Sequence, residues 1–334
     1  MYFRSNNFKS KIPYYKKKAT LHVFFSLIFF LFFYGFLILK TEEHTLANIT
    51  SKKASVTLGL VGDLMFARGI QDIGEVYGYE HVFSYVAPLM QSCDFITGNL
   101  ESPIVVDCKA ALKAPKKIHL SSLPKVAKTL KKMHICCLNL ANNHIKDYGR
   151  QGLLDTINSL HKNNIQVIGA GLDLHTASKI FYKKLAHLKI ACLGFSDILP
   201  CSFLATRDRS GVLPLKSTLS SKLVRRAKKN ADLVIVHVHW GNEYSKNVTL
   251  RQKKLAHSLI DFGADIVLGH HPHTLQQVEF YKKGVIFYSL GNFVFDQPFS
   301  FTKETVFVRI CFQENKASYL EVYPIFIFKA ALES

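Results

Sequence analysis

Beyond residue 55 the chain alternates between short apolar runs of strand length and amphipathic stretches, separated by polar or glycine-bearing turns. Residues 56–61 predict a first strand and residues 94–97 a short second one. The spacing over 123–133 predicts a helix that leads into the apolar run 134–140. A further helix over 151–163 stops at Asn163-Asn164 and gives way to a strand at 165–168. Residues 189–195 and 233–238 read as strands flanking a helix at 217–229, and a helix at 249–262, closed by Gly263, precedes a strand at 265–268. Past Thr274 the helical spacing stops. Residues 275–281, 285–289, 305–312 and 318–328 then read as consecutive β segments.

Continuous apolar runs such as Leu233-Val234-Ile235-Val236 are the mark of strands buried on both faces by flanking layers. The first two thirds therefore reads as a layered α/β unit and the end as a mostly antiparallel sheet, together one sandwich of two sheets with helices outside. No internal repeat or low-complexity tract interrupts it.

The amino-terminal part has a different pattern. Residues 19–39 carry no charged side chain and are rich in Phe, Leu and Ile, and about 20 such residues cross a bilayer core. Arg4, Lys9, Lys11, Lys16, Lys17 and Lys18 precede the run without an acid among them, whereas Glu42 and Glu43 follow. The basic flank predicts a cytoplasmic tail at 1–18, an anchor at 19–39, a linker at 40–55 and an extracytoplasmic domain at 56–334 in the cytoplasmic membrane. The rival reading is a cleaved signal peptide, whose apolar region is usually shorter, about 7–15 residues, and ends at a small-residue site; here the run ends in Leu37-Ile38-Leu39-Lys40.

The whole chain has 43 Lys and Arg against 24 Asp and Glu. Without the first 40 residues, 36 basic residues still face 24 acids, a net +12 that attracts polyanions or describes a lysine-rich solvated surface. No arginine-rich helix or basic stripe with interleaved aromatics points to nucleic acid. Seven cysteines cannot all pair. Cys136, Cys137, Cys192 and Cys311 lie in apolar runs as small hydrophobes, while Cys93, Cys108 and Cys201 lie where one disulfide can form in an oxidising compartment. No CxxC spacing suggests a structural zinc site.

The chemistry gathers where predicted strands end. Gly62-Asp63 follows the first strand, Gly98-Asn99-Leu100-Glu101 the second, and Ala141-Asn142-Asn143-His144 with Asp147 the third. His237-Val238-His239-Trp240-Gly241 with Glu243, Gly269-His270-His271-Pro272-His273 and Ser289-Leu290-Gly291-Asn292 complete the series. Singly, each is as readily a cap, a turn or a core residue; His237 reads as a core residue, and His161 and His257 as structural or surface residues without partners. Jointly they predict one site, because ligands of α/β sheets collect beyond the carboxyl ends of strands. Carboxylates of Asp63 and Glu101, amide oxygens of Asn99 and Asn143, and imidazoles of His239, His271 and His273 suit zinc, manganese or iron. His144 and Asp147 are the candidate catalytic pair, the imidazole donating a proton to a leaving group.

These segments, from Gly62-Asp63-Leu64-Met65 through His239-Trp240-Gly241-Asn242-Glu243-Tyr244 to Tyr288-Ser289-Leu290-Gly291-Asn292-Phe293-Val294-Phe295-Asp296, resemble the capsule-biosynthesis family linked to poly-γ-glutamate. The resemblance runs in order over residues 56 to about 298. It implies a calcineurin-like metallophosphoesterase architecture, a four-layer α-β-β-α sandwich preceded by one transmembrane helix, and a place beside a membrane synthase that handles an acidic polymer. It also implies one or two divalent metal ions. Met65 stands where the first motif of the catalytic phosphoesterases, Asp-x-His, has its histidine, so two functions follow: an accessory protein that holds the polymer, or a hydrolase of phosphoester or amide bonds.

Overall fold

The computed structural model describes residues 55–313 and 316–327. The predicted tail, the anchor at 19–39 and the linker up to residue 54 lie outside them. Among the described residues no helix is long and apolar enough to cross a membrane.

In chain order the elements are β1 (Val56–Leu64), α1 (Gly69–Tyr77), α2 (Ala87–Gln91), β2 (Phe95–Leu100), α3 (Lys125–Lys132), β3 (Ile135–Asn139), α4 (Gly149–Lys162), β4 (Gln166–Ile168), β5 (Ala170–Gly171) and α5 (Leu174–Ala177). There follow β6 (Phe181–Leu185), β7 (Leu188–Ser196), β8 (Gly211–Val212), α6 (Ser217–Asn230), β9 (Leu233–His239), α7 (Leu250–Phe262) and β10 (Ile266–His270). The chain ends in β11 (Val278–Tyr281), β12 (Gly284–Phe287), β13 (Asn292–Val294), β14 (Glu304–Gln313) and β15 (Lys316–Phe326).

Two mixed sheets result. The first runs β15-β14-β1-β2-β3-β4, with β13 paired to the far end of β1; the second runs β11-β12-β10-β9-β7-β6. β1 to β4 are mutually parallel, as are β7, β9, β10 and β12, and antiparallel strands occupy both edges of the second sheet and the β15 edge of the first. The carboxyl ends of the parallel strands therefore deliver their loops to one rim.

Side-chain alternation explains how the layers stack. In β9, Val234, Val236 and Val238 pack with Leu223, Val224 and Ala227 of α6 and with Ala256, Leu259 and Ile260 of α7. In β2, Ile96 and Leu100 pack with Val126 and Leu130 of α3 and Leu153 of α4. The opposite faces meet each other: Phe95 of β2 stacks on Phe181 of β6 at 6.3 Å, and Thr97 Oγ1 lies 2.9 Å from His237 Nε2. The order is helix, sheet, sheet, helix. Contact between the sheets is close enough that a Cβ on Gly194 would sit 2.1 Å from Asn139 Oδ1.

Helix ends follow local rules. Thr249 accepts from the backbone of Gln252 in a capping box, and Gly263 closes α7 at φ 113°.

Several expectations change. The terminal strands build no sheet of their own: β11 and β12 extend the second sheet, whereas β13, β14 and β15 extend the first. Each sheet has an open edge, and pairing there satisfies backbone groups that a separate sheet would leave exposed. All seven cysteines are free, Cys93 being buried. His257 has a partner, Glu279 Oε1 at 2.8 Å, and stacks on Tyr281.

Candidate metal centre

Strand register sets out the site before any side chain is considered. Across the first sheet Asn292, Asp63, Asn99 and Asn139 are neighbours in one row. Across the second, Ser196, His239 and His270 form the facing row. The two rows close on each other at the rim.

Asp63 is fully buried at the end of β1. Its Oδ1 accepts from Asn99 Nδ2 at 2.9 Å and lies 3.1 Å from His270 Nδ1, and its Oδ2 accepts from the His271 backbone N–H at 3.2 Å. Burial alone would raise its pKa, but the His270 contact, the electrostatic influence of the His270 and His273 rings and the Asn99 bond outweigh it and hold the carboxyl below its ordinary value. Behind it stands a relay of side chains, with Thr97 Oγ1 at His237 Nε2 and His237 Nδ1 3.0 Å from His270 Nε2. With the Thr97 hydroxyl donating, His237 accepts at Nε2 and donates from Nδ1 to His270 Nε2, which leaves His270 Nδ1 facing Asp63 Oδ1 at 3.1 Å without a hydrogen bond of its own. His237 is pushed well down by burial, then by the charge of His270.

Glu101, one residue past β2, is the opposite case. Burial, then the charges of Asp63 and Glu243, push its carboxyl well up. Oε1 has no hydrogen-bond partner and lies 3.6 Å from His273 Nε2. His273 Nδ1 is 2.8 Å from Asn292 Oδ1, which orients the ring with Nε2 toward Glu101. His239 Nε2 is 3.1 Å from Asn143 Oδ1, and its Nδ1 is buried without a partner. His271 packs against His239 at 4.6 Å between ring centroids, and its Nδ1 is also buried without a partner. Burial pushes His239 well down and His271 to about 4, and it lowers His273 as well. All three are thus neutral imidazoles, the form that binds a metal.

These atoms pass the test for a cation site. Donor atoms of Glu101, His271 and His273 lie within 4.8 Å of one another, as do those of Asp63, Glu101 and His239. An unmet buried polar atom costs about 1–3 kcal/mol, and Glu101 Oε1, His239 Nδ1, His270 Nδ1 and His271 Nδ1 leave four around this cluster, the first, second and fourth of them on candidate ligands. A divalent ion in the first group would engage Glu101 with His271, and one in the second would engage Glu101 with His239. The mix of carboxylate oxygen and imidazole nitrogen suits a transition metal.

His144 and Asp147 lie beside this cluster through Asn143. His144 Nδ1 is 2.8 Å from Asp147 Oδ2, and Asp147 also accepts from Leu120 N–H at 2.8 Å and from Lys116 Nζ at 2.7 Å. Asp147 is buried and both its oxygens are already engaged, Oδ1 by Lys116 and Oδ2 by Leu120 N–H and His144, so it serves to orient His144. Lys116 also donates to the Asn143 carbonyl at 2.9 Å.

Asn99 is held in an orientation set by its neighbours. Asn139 and Asn142 are locked by backbone bonds, and both direct their amide nitrogens at Asn99 Oδ1, at 3.0 and 3.1 Å. Asn99 therefore turns its own NH₂ toward Asp63 and Glu101, and its oxygen is not free for a metal. Asp63, Glu101, Asn143, His239, His271 and His273 do converge, with His144 and Asp147 adjoining. Met65, buried, accepts the Ala67 backbone N–H at its sulfur and takes no part.

Sequence reading assigned no role to His270, Asn292 or Lys116. Period-two alternation places His270 on the same face as Ile266 and Leu268, turned toward the first sheet, and was a usable signal. Lys116 sits in an aperiodic loop and carried none.

The class of protein is thereby defined: an α/β sandwich of two mixed sheets with a histidine and carboxylate cluster at its strand ends. A crystallised hypothetical protein from Thermus thermophilus shares the fold, with a TM-score of 0.53 and 14% identity over 81% of this chain and 100% of that one. The chain belongs to the family described as bacterial capsule synthesis protein PGA_cap, whose model matches residues 57–297. It is 39% identical over 317 residues to the PGA biosynthesis protein CapA of Bacillus subtilis (strain 168), covering 94% of this chain and 83% of that protein. It is 40% identical over 275 residues to the capsule biosynthesis protein CapA of Bacillus anthracis, covering 81% and 67%.

Proposed function

We propose that this chain acts in the synthesis, export or retention of an acidic cell-surface polymer, poly-γ-glutamate, and that its sandwich, of the metallophosphoesterase type, holds a divalent transition metal. Asp63, Glu101, His239, His271 and His273, with Asn143 Oδ1 beside them, would be the holders. Family membership and the names of the two CapA relatives support the polymer. The observation that carries the metal is the set of three buried, partnerless ligand atoms on Glu101, His239 and His271. Bound there, Mn, Zn or Fe would polarise a carbonyl or phosphoryl oxygen and acidify water.

Residues 19–39 are proposed as the membrane anchor, with residues 56–334 as one extracytoplasmic domain close to a membrane synthase. Deleting residues 1–39 should release the protein from the membrane pellet; retention in the pellet would contradict the anchor.

A second reading, a metal-dependent hydrolase, is favoured by the Lys116–Asp147–His144 arrangement, which presents an oriented imidazole beside the cluster. Metal analysis of the purified full-length chain tests the centre. Bound transition metal is expected in the wild type and lost in His271→Ala and Glu101→Gln; a metal-free wild type in metal-supplemented medium refutes it. Cleavage of poly-γ-glutamate or of a phosphodiester by the wild type, abolished in His144→Ala, would select the hydrolase.

A further inference from the structure

The rim of the centre carries a surface that metal binding does not use. Tyr244 and Phe299 are 40% and 46% exposed, and with Phe301 they form a shelf. Tyr244 meets Phe299 edge-on at 5.3 Å and Phe301 at 6.2 Å, while Phe299 and Phe301 stack at 5.5 Å. The shelf is continuous with the centre: the Tyr244 ring lies 6.1 Å from that of His273, and its backbone N–H donates to the Pro272 carbonyl at 2.8 Å. Phe295 packs on His273 at 4.8 Å, and the half-exposed guanidinium of Arg68 lies 5.8 Å from the Phe295 ring, paired with Asp296.

Backbone conformation singles out the same residues. Among the described non-glycine residues with positive φ, Ala186 and Lys282 form the tips of hairpins, and His134 and Asn164 follow helix ends. The others are Arg68 at 54°, Tyr244 at 64°, His271 at 98° and His273 at 58°, all around the centre. Such conformations persist where the surroundings impose them, and they gather at ligand sites. Arg68 stands at the N-cap of α1, and Tyr244 belongs to neither group of candidate metal ligands, so neither a helix end nor a metal accounts for the conformation of Tyr244.

We infer that Arg68, Tyr244 and Phe299 form a subsite for an extended acidic polyamide chain, with its amide planes and methylenes on the aromatic shelf and a side carboxylate at Arg68. This rests on the acidic-polymer reading above. Aromatic rings offer a large contact area with few rotatable bonds, and a guanidinium has five donors in a fork that matches a carboxylate. Asp296 engages only part of that fork. A net +12 beyond residue 40 draws a polyanion toward the surface.

The test is fluorescence anisotropy of labelled poly-γ-glutamate with the purified full-length chain, using dextran sulfate as a polyanion without amides. Tyr244→Gly removes the ring while relieving the positive-φ backbone, so lost binding there does not report lost folding. Tyr244→Gly and Phe299→Ala are each expected to weaken the polyamide roughly tenfold and dextran sulfate by less than about threefold, with metal content unchanged. Tyr244→Phe should bind as wild type, and Arg68→Gln should bind more weakly. Wild-type affinity in both ring variants, or equal loss of both polymers, overturns the subsite alone. A wild type that binds no poly-γ-glutamate refutes the polymer reading, and the subsite with it.

Discussion

Replacing Asn99 by Asp exchanges an amide that donates to two buried carboxylates for a third acid. In the wild type Asn99 Nδ2 donates to Asp63 Oδ1 at 2.9 Å and, more weakly, to Glu101 Oε2 at 3.4 Å. A hydrogen bond to a charged group contributes about 1.5–3 kcal/mol, and a buried group left without its partner adds a further cost of about 1–3 kcal/mol. Repulsion among three acids is limited by protonation of one of them, so the metal-free protein should lose about 3–5 kcal/mol at neutral pH. That is a large share of a typical stability of about 5–15 kcal/mol. With a urea slope of about 3 kcal/mol/M, the unfolding midpoint in chelator should fall by about 1 M or more. Added metal should recover part of the loss by neutralising the cluster. Had the Asn99 oxygen been a ligand, Asn99→Asp would bind metal more tightly and leave the metal-free midpoint in place; that result would refute the orientation argued here.

Two further outcomes follow from the same geometry. Lys116→Met removes the cation 2.7 Å from buried Asp147; because Lys116 is about one-fifth exposed, the cost should be about 2–3 kcal/mol rather than the fuller penalty of a buried pair. Adding Asp147→Asn should recover part of it, and an unchanged urea midpoint in Lys116→Met would contradict the pairing. For pH, burial pushes His271 from its ordinary 6.5 down to about 4, so the unfolded chain takes up a proton that the native site refuses. Stability from this group is present above pH 6.5 and is lost as pH falls toward 4, by about 2 kcal/mol between pH 7 and 5 in the metal-free protein. Glu101, raised well above its ordinary value, contributes the opposite slope, so the comparison is with His271→Gln in urea titrations under chelator. That variant should lose less on acidification than the wild type, and equal losses would refute the assignment.

What the sequence by itself determined was the alternation of elements and the positions where chemistry stands at strand ends. Apolar period and turn residues are local, so β9, α7 with its Gly263 stop, and the His-Pro-His turn at 271–273 were legible within a residue or two. Tertiary structure decided which strands pair and which way each polar side chain faces. The last five strands divide between two sheets because each sheet had an edge to satisfy, and no local pattern encodes that choice. Asn99 became a donor to carboxylates because Asn139 and Asn142, some forty residues away in sequence, occupy its oxygen. Lys116 reached Asp147 from an aperiodic loop, where periodicity has nothing to report. Hydrogen-bond direction is settled by the complete set of neighbours, and that set exists only after the two sheets have closed on each other.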